Sequence, residues 1–547
     1  MLTPFFSFFY QETSARYADG RGRLLFWVTR CKSARFVRWL ILGVLWAVAG
    51  GCETASQPAD SSHTVLPSDS APEQVLPALS KRESWYSMSI LGAKVGYQHT
   101  WIEPVEHKGR PAIRCETFSR FRVLRSGAPL VTEIRFFDLT TPEGRLVELG
   151  SEVIQGGASL KTQGRVQGDQ LVLAIATQGR PQELTLPWKP EYGGFHAVEL
   201  SLASAPMKPG QTRTLQALVA VVNQTATVEL RAIQEETVRL PIGEFRLLRI
   251  ESTTRFPSGQ TFRDTYWIDS AGAALKVHSQ AMNAELTVTS RQLAEDPAGL
   301  EKLDLALDQA IPVEPRLVRP HQTTRVRYRM HLEQGNPAQV FPQTPYQEVR
   351  SVDEHTAELV VWASRPTLPP PKTNVRYEPP GEYDRKPNSF IQSDHPRIAA
   401  LARQAVGQEK NPRQQALQLE RFVHGYLRSK NFSTGFASAL EVLQSREGDC
   451  TEHAVLLAAL ARAVGIPART AIGLVYQDGK FYYHMWNELY VEDRWIAFDA
   501  TLADGGVGGA HIQLAHSHLH GANAFSAFLP VLNVLGQGLR IELIDQQ

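Results

Sequence analysis

The sequence predicts a multidomain chain: an all-β N-terminal part, built as a large antiparallel sheet, open barrel or sandwich, and an α+β C-terminal domain. Three observations carry this expectation. At 547 residues the chain is longer than one hydrophobic core can organise. From Trp85 to about Ser290, short stretches of alternating apolar and polar residues follow one another, separated by breaks that contain Gly or Pro; this is the pattern of antiparallel strands joined by turns. After residue 388 the apolar spacing becomes helical, then returns to strand-like alternation.

In chain order, the N-terminus reads as an address. Arg30, Lys32, Arg35 and Arg38 precede an apolar run of 11 residues from Trp39 to Ala49, which suits the hydrophobic part of a signal peptide and falls short of the roughly 18 residues that span a bilayer. The run ends in Ala49-Gly50-Gly51-Cys52. Small residues directly before a cysteine resemble a bacterial lipobox, in which Cys52 is acylated and becomes the mature N-terminus. The usual leucine three positions before the cysteine is replaced here by Ala49. Residues 1–52 are therefore expected to be a signal segment. Residues 53–80, rich in Ser, Pro, Ala, Asp and Thr, cannot bury enough apolar surface to order themselves and are expected to form a tether. The implied location is the cell envelope, lipid-anchored to a membrane on the exported side.

Residues 81–295 form the expected β-rich domain. The stretch "RDTYWIDSAGAALKVHSQ" reads as a hairpin around Asp269 to Gly272. Histidines 99, 107 and 196 are scattered here, and Cys115 in "AIRCETF" reads as a small buried hydrophobe. Residues 296–387 add a second β segment, with "RVRYRMHL" and "AELVVWAS", and a proline-rich linker at about 365 to 387. Residues 388–547 are the expected C-terminal domain with its tail.

Charge and cysteine usage narrow the function. The first 51 residues hold seven Arg/Lys against two Asp/Glu, so that segment is +5 against a whole-chain +1, and the remainder is −4. A mildly acidic mature protein lacks the basic footprint of nucleic-acid binding, so nucleic acid is excluded as a partner. Of the four cysteines, Cys31 and Cys52 lie in the leader, leaving Cys115 and Cys450. That is no disulfide framework, although a single Cys115–Cys450 bridge is open.

The chemistry concentrates in "GDCTEHAVLLAALARAVGIPAR", residues 448 to 469. Ala454, Val455, Leu457, Ala458, Ala461 and Val464 give a helix that stops at Gly465 and Pro467, with Cys450 at its N-terminus. There the unpaired N–H groups and the helix dipole favour a thiolate. Gly448 supplies a tight turn. "ARTAIGLVY" and "FYYHMWNELYV" read as a hairpin around Asp478-Gly479, and His484, Trp486 and Glu488 share one strand face. "WIAFDAT" reads as the next strand, with Trp495, Ala497 and Asp499 on one face, which brings Asp499 beside His484 across an antiparallel pair.

These segments resemble the transglutaminase-like superfamily of papain-type Cys-His-Asp enzymes: G-D-C at a helix start, A-x-G-I-P-A-R after it, H-x-W-x-E on a strand, and W-x-x-x-D-x-T on the next. One departure is Asp499-Ala500-Thr501, where many members have proline in the middle. The resemblance covers roughly 388 to 505 and implies a papain-like fold. It makes Cys450 the nucleophile, His484 the general base and acid, and Asp499 the orienting carboxylate. Trp486, Glu488, Gly448 and Asp449 support them. The implied reaction is acyl transfer through a Cys thioester on amide bonds of a protein or peptide substrate, with hydrolysis slightly favoured over crosslinking and no cofactor or metal. Two other readings compete. A zinc site would draw on Cys450 and His453 in C-x-x-H spacing and on His511, His516, His518 and His520, but zinc needs four well-placed ligands, and the histidine-rich stretch reads as a surface loop. A non-catalytic scaffold lipoprotein would leave the triad unused.

Overall fold

The computed structural model describes residues 81–547, except 126, 156–157, 177–180, 281–282, 305–309, 377, 429–436, 521–526 and 537. The leader, Cys52 and the tether lie outside the described residues.

Fourteen strands form one antiparallel meander: β1 (Arg82–Ile90), β2 (Ala93–His107), β3 (Arg110–Arg125), β4 (Ala128–Thr140), β5 (Leu146–Gln155), β6 (Ala158–Gln167), β7 (Gln170–Ala176), β8 (Gln182–Pro187), β9 (Thr212–Val219), β10 (Gln224–Leu240), β11 (Gly243–Arg255), β12 (Thr261–Ile268), β13 (Ala274–Ser279) and β14 (Ala284–Thr289). Neighbours in sequence are neighbours in space, and β1 pairs with β14, which leaves β8 and β9 as edges. The segment between those edges lies over the gap: Gly193 N donates to Gln216 O, and Gly193 O accepts from Leu218 N. The sheet is thereby a nearly closed barrel, in keeping with the predicted β class.

Side-chain alternation gives the barrel its inside. In β12, Phe262, Asp264, Tyr266 and Ile268 are buried while their neighbours are half-exposed. Helix α1 (Ala197–Ser204) plugs the interior. Its Leu200 and Ala203 pack on Ile102, Ile113 and Cys115, and its Leu202 packs on Val228, Leu230, Ile250 and Tyr266. Each leucine, isoleucine or valine among these contributes about 1.5–3 kcal/mol by leaving water. Asp138 steers the chain into α1 by accepting from Phe195 N and His196 N at 3.0 and 2.6 Å.

The second sheet contains β15 (Ile311–Glu314), β16 (Arg325–His331), β17 (Gln347–Ser351), β18 (Thr356–Trp362), β19 (Ala468–Gln477), β20 (Lys480–Val491), β21 (Arg494–Phe498), β22 (His511–Ser517) and β23 (Arg540–Gln546). The order is β17-β18-β16-β23-β15-β20-β19-β22, with β21 on the other half of β20. Segment 311–362 thus supplies strands to the same sheet as the motif-bearing hairpin. The proline-rich stretch runs along β21: Ser364 Oγ accepts from Ala497 N at 2.9 Å, and Trp495 Nε1 donates to Glu378 O at 2.7 Å.

A helical layer packs on this sheet, made of α2 (Pro396–Val406), α3 (Pro412–Tyr426), α4 (Ala439–Ser445) and α5 (Cys450–Ala463). Asn411 caps α3 with Pro412 in its first turn, as its sequence predicts. Helix α5 is buried around its whole circumference, from Cys450 to Arg462, because α2, α3 and α4 pack on it opposite β19 and β20. Its buried polar residues are matched: Arg462 donates to the carbonyls of Ala468 and Lys386. Among the described residues no helix is long and apolar enough to cross a membrane.

Candidate active site

Cys450 opens α5 and is fully buried. Asp449 is the N-cap, accepting from Thr451 N at 3.0 Å and from Thr451 Oγ1 at 3.1 Å. Glu452 closes the box: its Oε2 accepts from Asp449 N at 3.0 Å and its Oε1 from Ala437 N at 3.1 Å. This satisfies two otherwise orphaned N–H groups at once. Gly448 has φ +150, and a Cβ built there would lie 2.3 Å from Glu452 Cβ, so glycine is required by the capping side chain itself. No disulfide joins Cys115 and Cys450.

The N-terminus of α5 is fastened to β20 by Asn487 Nδ2, which donates to Ala454 O at 2.9 Å. Three residues earlier on β20 is His484, 1% exposed. Its Nε2 lies 2.7 Å from Asp499 Oδ2. Asp499 is not on a strand as expected: β21 ends at Phe498, which pairs with Asn487. Asp499 instead starts a turn, its O accepting from Leu502 N and Ala503 N, and the corner sends its carboxylate back along β20 to His484. The turn lacks the proline common in the resembling pattern and is held from α3. His424 Nδ1 donates to Ala500 O at 3.0 Å, and Glu420 accepts from Asp499 N at 3.2 Å, Gly505 N at 3.0 Å and Gly506 N at 3.3 Å.

Asp499 Oδ1 accepts from Thr501 N and Thr501 Oγ1 at 2.9 and 2.6 Å. Oδ2 has a second imidazole besides His484: His511 Nε2, at 3.1 Å and 3% exposed. Burial alone would raise the Asp499 carboxyl, but the His484 imidazole beside it and the hydrogen bonds from His484 and His511 overcome that and hold it well below the usual range. Burial lowers His511, against the pull of Asp499. It also lowers His321, whose ring sits edge-on to His511 at 5.8 Å, to about 4. Burial raises Glu420 to about 8, against the pull of its backbone donors. Trp486 stacks on His484 at 6.1 Å and meets His511 edge-on at 5.2 Å. Glu488 pairs with Arg469 at 2.7 Å, and that guanidinium lies over Trp495.

Residues 399–500 match the family model described as the transglutaminase-like superfamily. This stretch is a transglutaminase-like domain. A search of curated proteins yields no match. Among solved structures, the chain is similar to a candidate cysteine protease from Cytophaga hutchinsonii at 17% identity, covering 41% of this chain and 89% of that one with a TM-score of 0.27. It is also similar to a β-barrel-like protein of the domain of unknown function DUF1849 from Brucella abortus, at 9% identity over 38% of this chain and 95% of that one, TM-score 0.28. A third is a TGase, at 13% identity over 28% of this chain and 43% of that one, TM-score 0.18.

The histidines of the zinc reading disperse. His453 Nδ1 contacts Asp449 O, and burial lowers its pKa to about 4. His516 meets Arg469, His518 meets Asp384 at 2.7 Å, and His520 stacks on Tyr383. The expected surface loop is β22 instead, ordered by its pairing with β19, and this strand turns His511 inward onto Asp499. Among the described residues, His484, Asp499 and His511 are the group whose ligand-type atoms converge, within 4.8 Å of one another. Two hydrogen bonds to Asp499 Oδ2 already occupy that space. Sequence reasoning named His511 only as a candidate zinc ligand, and it missed Glu420 and His424. It also missed the capping role of Glu452, for which the D-x-x-E spacing from Asp449 was a usable signal.

Proposed function

We propose that this protein is a transglutaminase-like cysteine enzyme that works on amide bonds of proteins or peptides through a thioester at Cys450. The observation that carries the reading is the buried His484 Nε2–Asp499 Oδ2 contact of 2.7 Å on the strand to which the N-terminus of the Cys450 helix is fastened. With Nε2–H donated to Asp499, the other ring nitrogen, Nδ1, is left in the form that accepts a proton. His484 takes the Cys450 proton at Nδ1, the sulfur attacks the amide carbonyl, and the first N–H groups of α5 stabilise the oxyanion. Collapse of the tetrahedral adduct breaks the C–N bond, and the His484 proton passes to the leaving amine or ammonia. Water, deprotonated by His484, then attacks the thioester, giving a carboxylic acid and restoring the thiol. An amine in place of water would give a crosslink. Hydrolysis is the favoured outcome, because water is abundant and no feature of the sequence marks an amine acceptor beside Cys450.

Cys450 is fully buried, so substrate or reagent reaches it only after local opening. The diagnostic is therefore the shape of a pH profile, not an absolute rate. Alkylation of Cys450 by iodoacetamide should rise with a midpoint well below the roughly 8.5 of an ordinary thiol. A midpoint at the ordinary value would sink the nucleophile assignment. Cys450→Ala compared with the native chain on peptides and Gln-containing proteins, scored for carboxylate, ammonia and crosslinked products, separates hydrolysis from transfer. We further propose that Cys52 carries a lipid that tethers the enzyme to a membrane of the cell envelope. Labelled palmitate should enter the native chain and not Cys52→Ser; label in both would exclude that anchor.

A further inference from the structure

The barrel interior contains a polar row whose oxygens have no well-formed hydrogen bond among the described residues. Ser252 on β11 and Ser279 on β13 are each directly opposite Asp264 on β12, so the three side chains stand abreast on one face. All three point inward: Ser252 is 1%, Asp264 2% and Ser279 9% exposed. Ser252 Oγ, Ser279 Oγ and both carboxylate oxygens of Asp264 lack a hydrogen-bond partner among the described residues. A buried polar atom left unmatched costs about 1–3 kcal/mol, and native structures leave few. Four in one row point to something that fills them.

Beside the row is a cavity of about 120 Å³, lined by Ser252 and Ser279 and by strands on the opposite wall. The space next to the row is walled by apolar side chains, among them Val228, Tyr266, Val277 and Leu286. A cavity of about 150 Å³ accommodates a molecule the size of benzene, so the occupant has about five or six heavy atoms. The charge pattern gives its sign. Glu199 lines the cavity and no lysine, arginine or histidine does. The third interior acid, Asp138, already has His196 at 3.3 Å, whereas Asp264 has no basic side chain beside it. An ammonium group offers three N–H donors, and the row offers an acid flanked by two hydroxyls. Burial holds the Asp264 carboxyl well above its ordinary range, against the pull of Ser279 beside it; an ammonium facing it would draw it back to the carboxylate.

We propose that the barrel binds a small primary amine, its ammonium seated on Asp264 between Ser252 and Ser279 and its alkyl body in the adjoining cavity. This site is independent of Cys450 chemistry. The test uses the full chain carrying Cys450→Ala, so that an amine is not consumed, and titrates n-butylamine, n-butanol and butyrate at neutral pH by calorimetry and thermal shift. Butylamine should bind saturably and raise Tm, butanol should bind about tenfold more weakly or worse, and butyrate should not bind. Those gaps match the about 1.5–3 kcal/mol of a hydrogen bond to a charged group. Asp264→Asn should weaken butylamine by about tenfold or more. Where that variant does not fold, the Ser252→Ala/Ser279→Ala double variant carries the comparison, with a several-fold loss. Absence of saturable binding, as when waters alone fill the row, overturns the proposal. So does equal binding of amine and alcohol, or unchanged amine affinity in the variants.

Discussion

At the scale of single residues, the site is a carboxylate with four donors. Asp499 accepts from Thr501 twice and from His484 and His511 once each, so its role in the proposed reaction is to fix the imidazole tautomer and to balance the imidazolium. Asp499→Asn presents a donor where His484 needs an acceptor, and kcat should fall by about 10²–10⁴ with KM little changed, as steady-state kinetics would read. His511→Gln keeps a donor near Oδ2 and should cost kcat about tenfold or less, while His511→Leu should cost more than that; equal losses would assign His511 to packing alone. Cys450, His484 and Asp499 could be named from the sequence because each has a short local signature: a helix start, an alternating strand and a following D-x-T. The parts His511 and Glu420 play at Asp499 could not. They reach Asp499 from 12 and 79 positions away, across a strand pairing and a helix packing that no local pattern encodes.

At the scale of elements, two glycines show what the packing demands. Gly448→Ala pushes a Cβ into Glu452 at a positive φ. It should cost about 1–3 kcal/mol in chemical denaturation and disturb the α5 cap under Cys450. Gly473 on β19 stands between His484 of β20 and Gln513 of β22, where a Cβ would meet Ile512 O at 2.0 Å and Trp486 at 2.9 Å. Gly473→Ala should therefore wedge β22 away and lower kcat along with stability; activity kept at full level in a folded variant would refute the importance of that close approach. The strand hairpins, the α3 cap and the α5 helix were legible because alternation, Asn-Pro and the Gly-x-Pro stop are local signals. The turn at Asp499 was not read: its local signal is the Asx turn in which Asp499 Oδ1 accepts from Thr501 N, while Ala500 lacks the turn-forming proline and Glu420 and His424 hold the corner from α3.

At the scale of the whole molecule, stability should peak near neutrality. His453 and His321 are held neutral, each lowered to about 4 by burial. The stability they contribute is present above their unfolded value of about 6.5 and is lost as pH falls toward 4. Glu420, raised to about 8 by burial, acts in the opposite sense. It binds its proton more tightly when folded, so stability declines as pH rises from about 4.5 to 8. Between about pH 4.5 and 6.5 these two histidines outweigh Glu420; above that Glu420 acts together with Asp264 and Glu199, whose carboxyls burial also raises. Tm followed by calorimetry should be highest at about pH 6–7, and Glu420→Gln should flatten the alkaline decline. A decline unchanged by that substitution would reject the assignment.

The position of β23 has a consequence for the order of assembly. Residues 540–546 lie between β16 and β15, antiparallel to one and parallel to the other, so a strand late in the numbering joins two that precede it by more than two hundred positions. The barrel's strands pair hairpin by hairpin with their sequence neighbours, and its one distant seam, β1 with β14, can form once residue 289 is made. The sheet behind His484 has no such option: until 540–546 is made, it exists as two separate halves. During synthesis, then, the barrel can be finished while the thiol-bearing helix still waits for its support, and the two parts of the chain acquire their structure on different clocks.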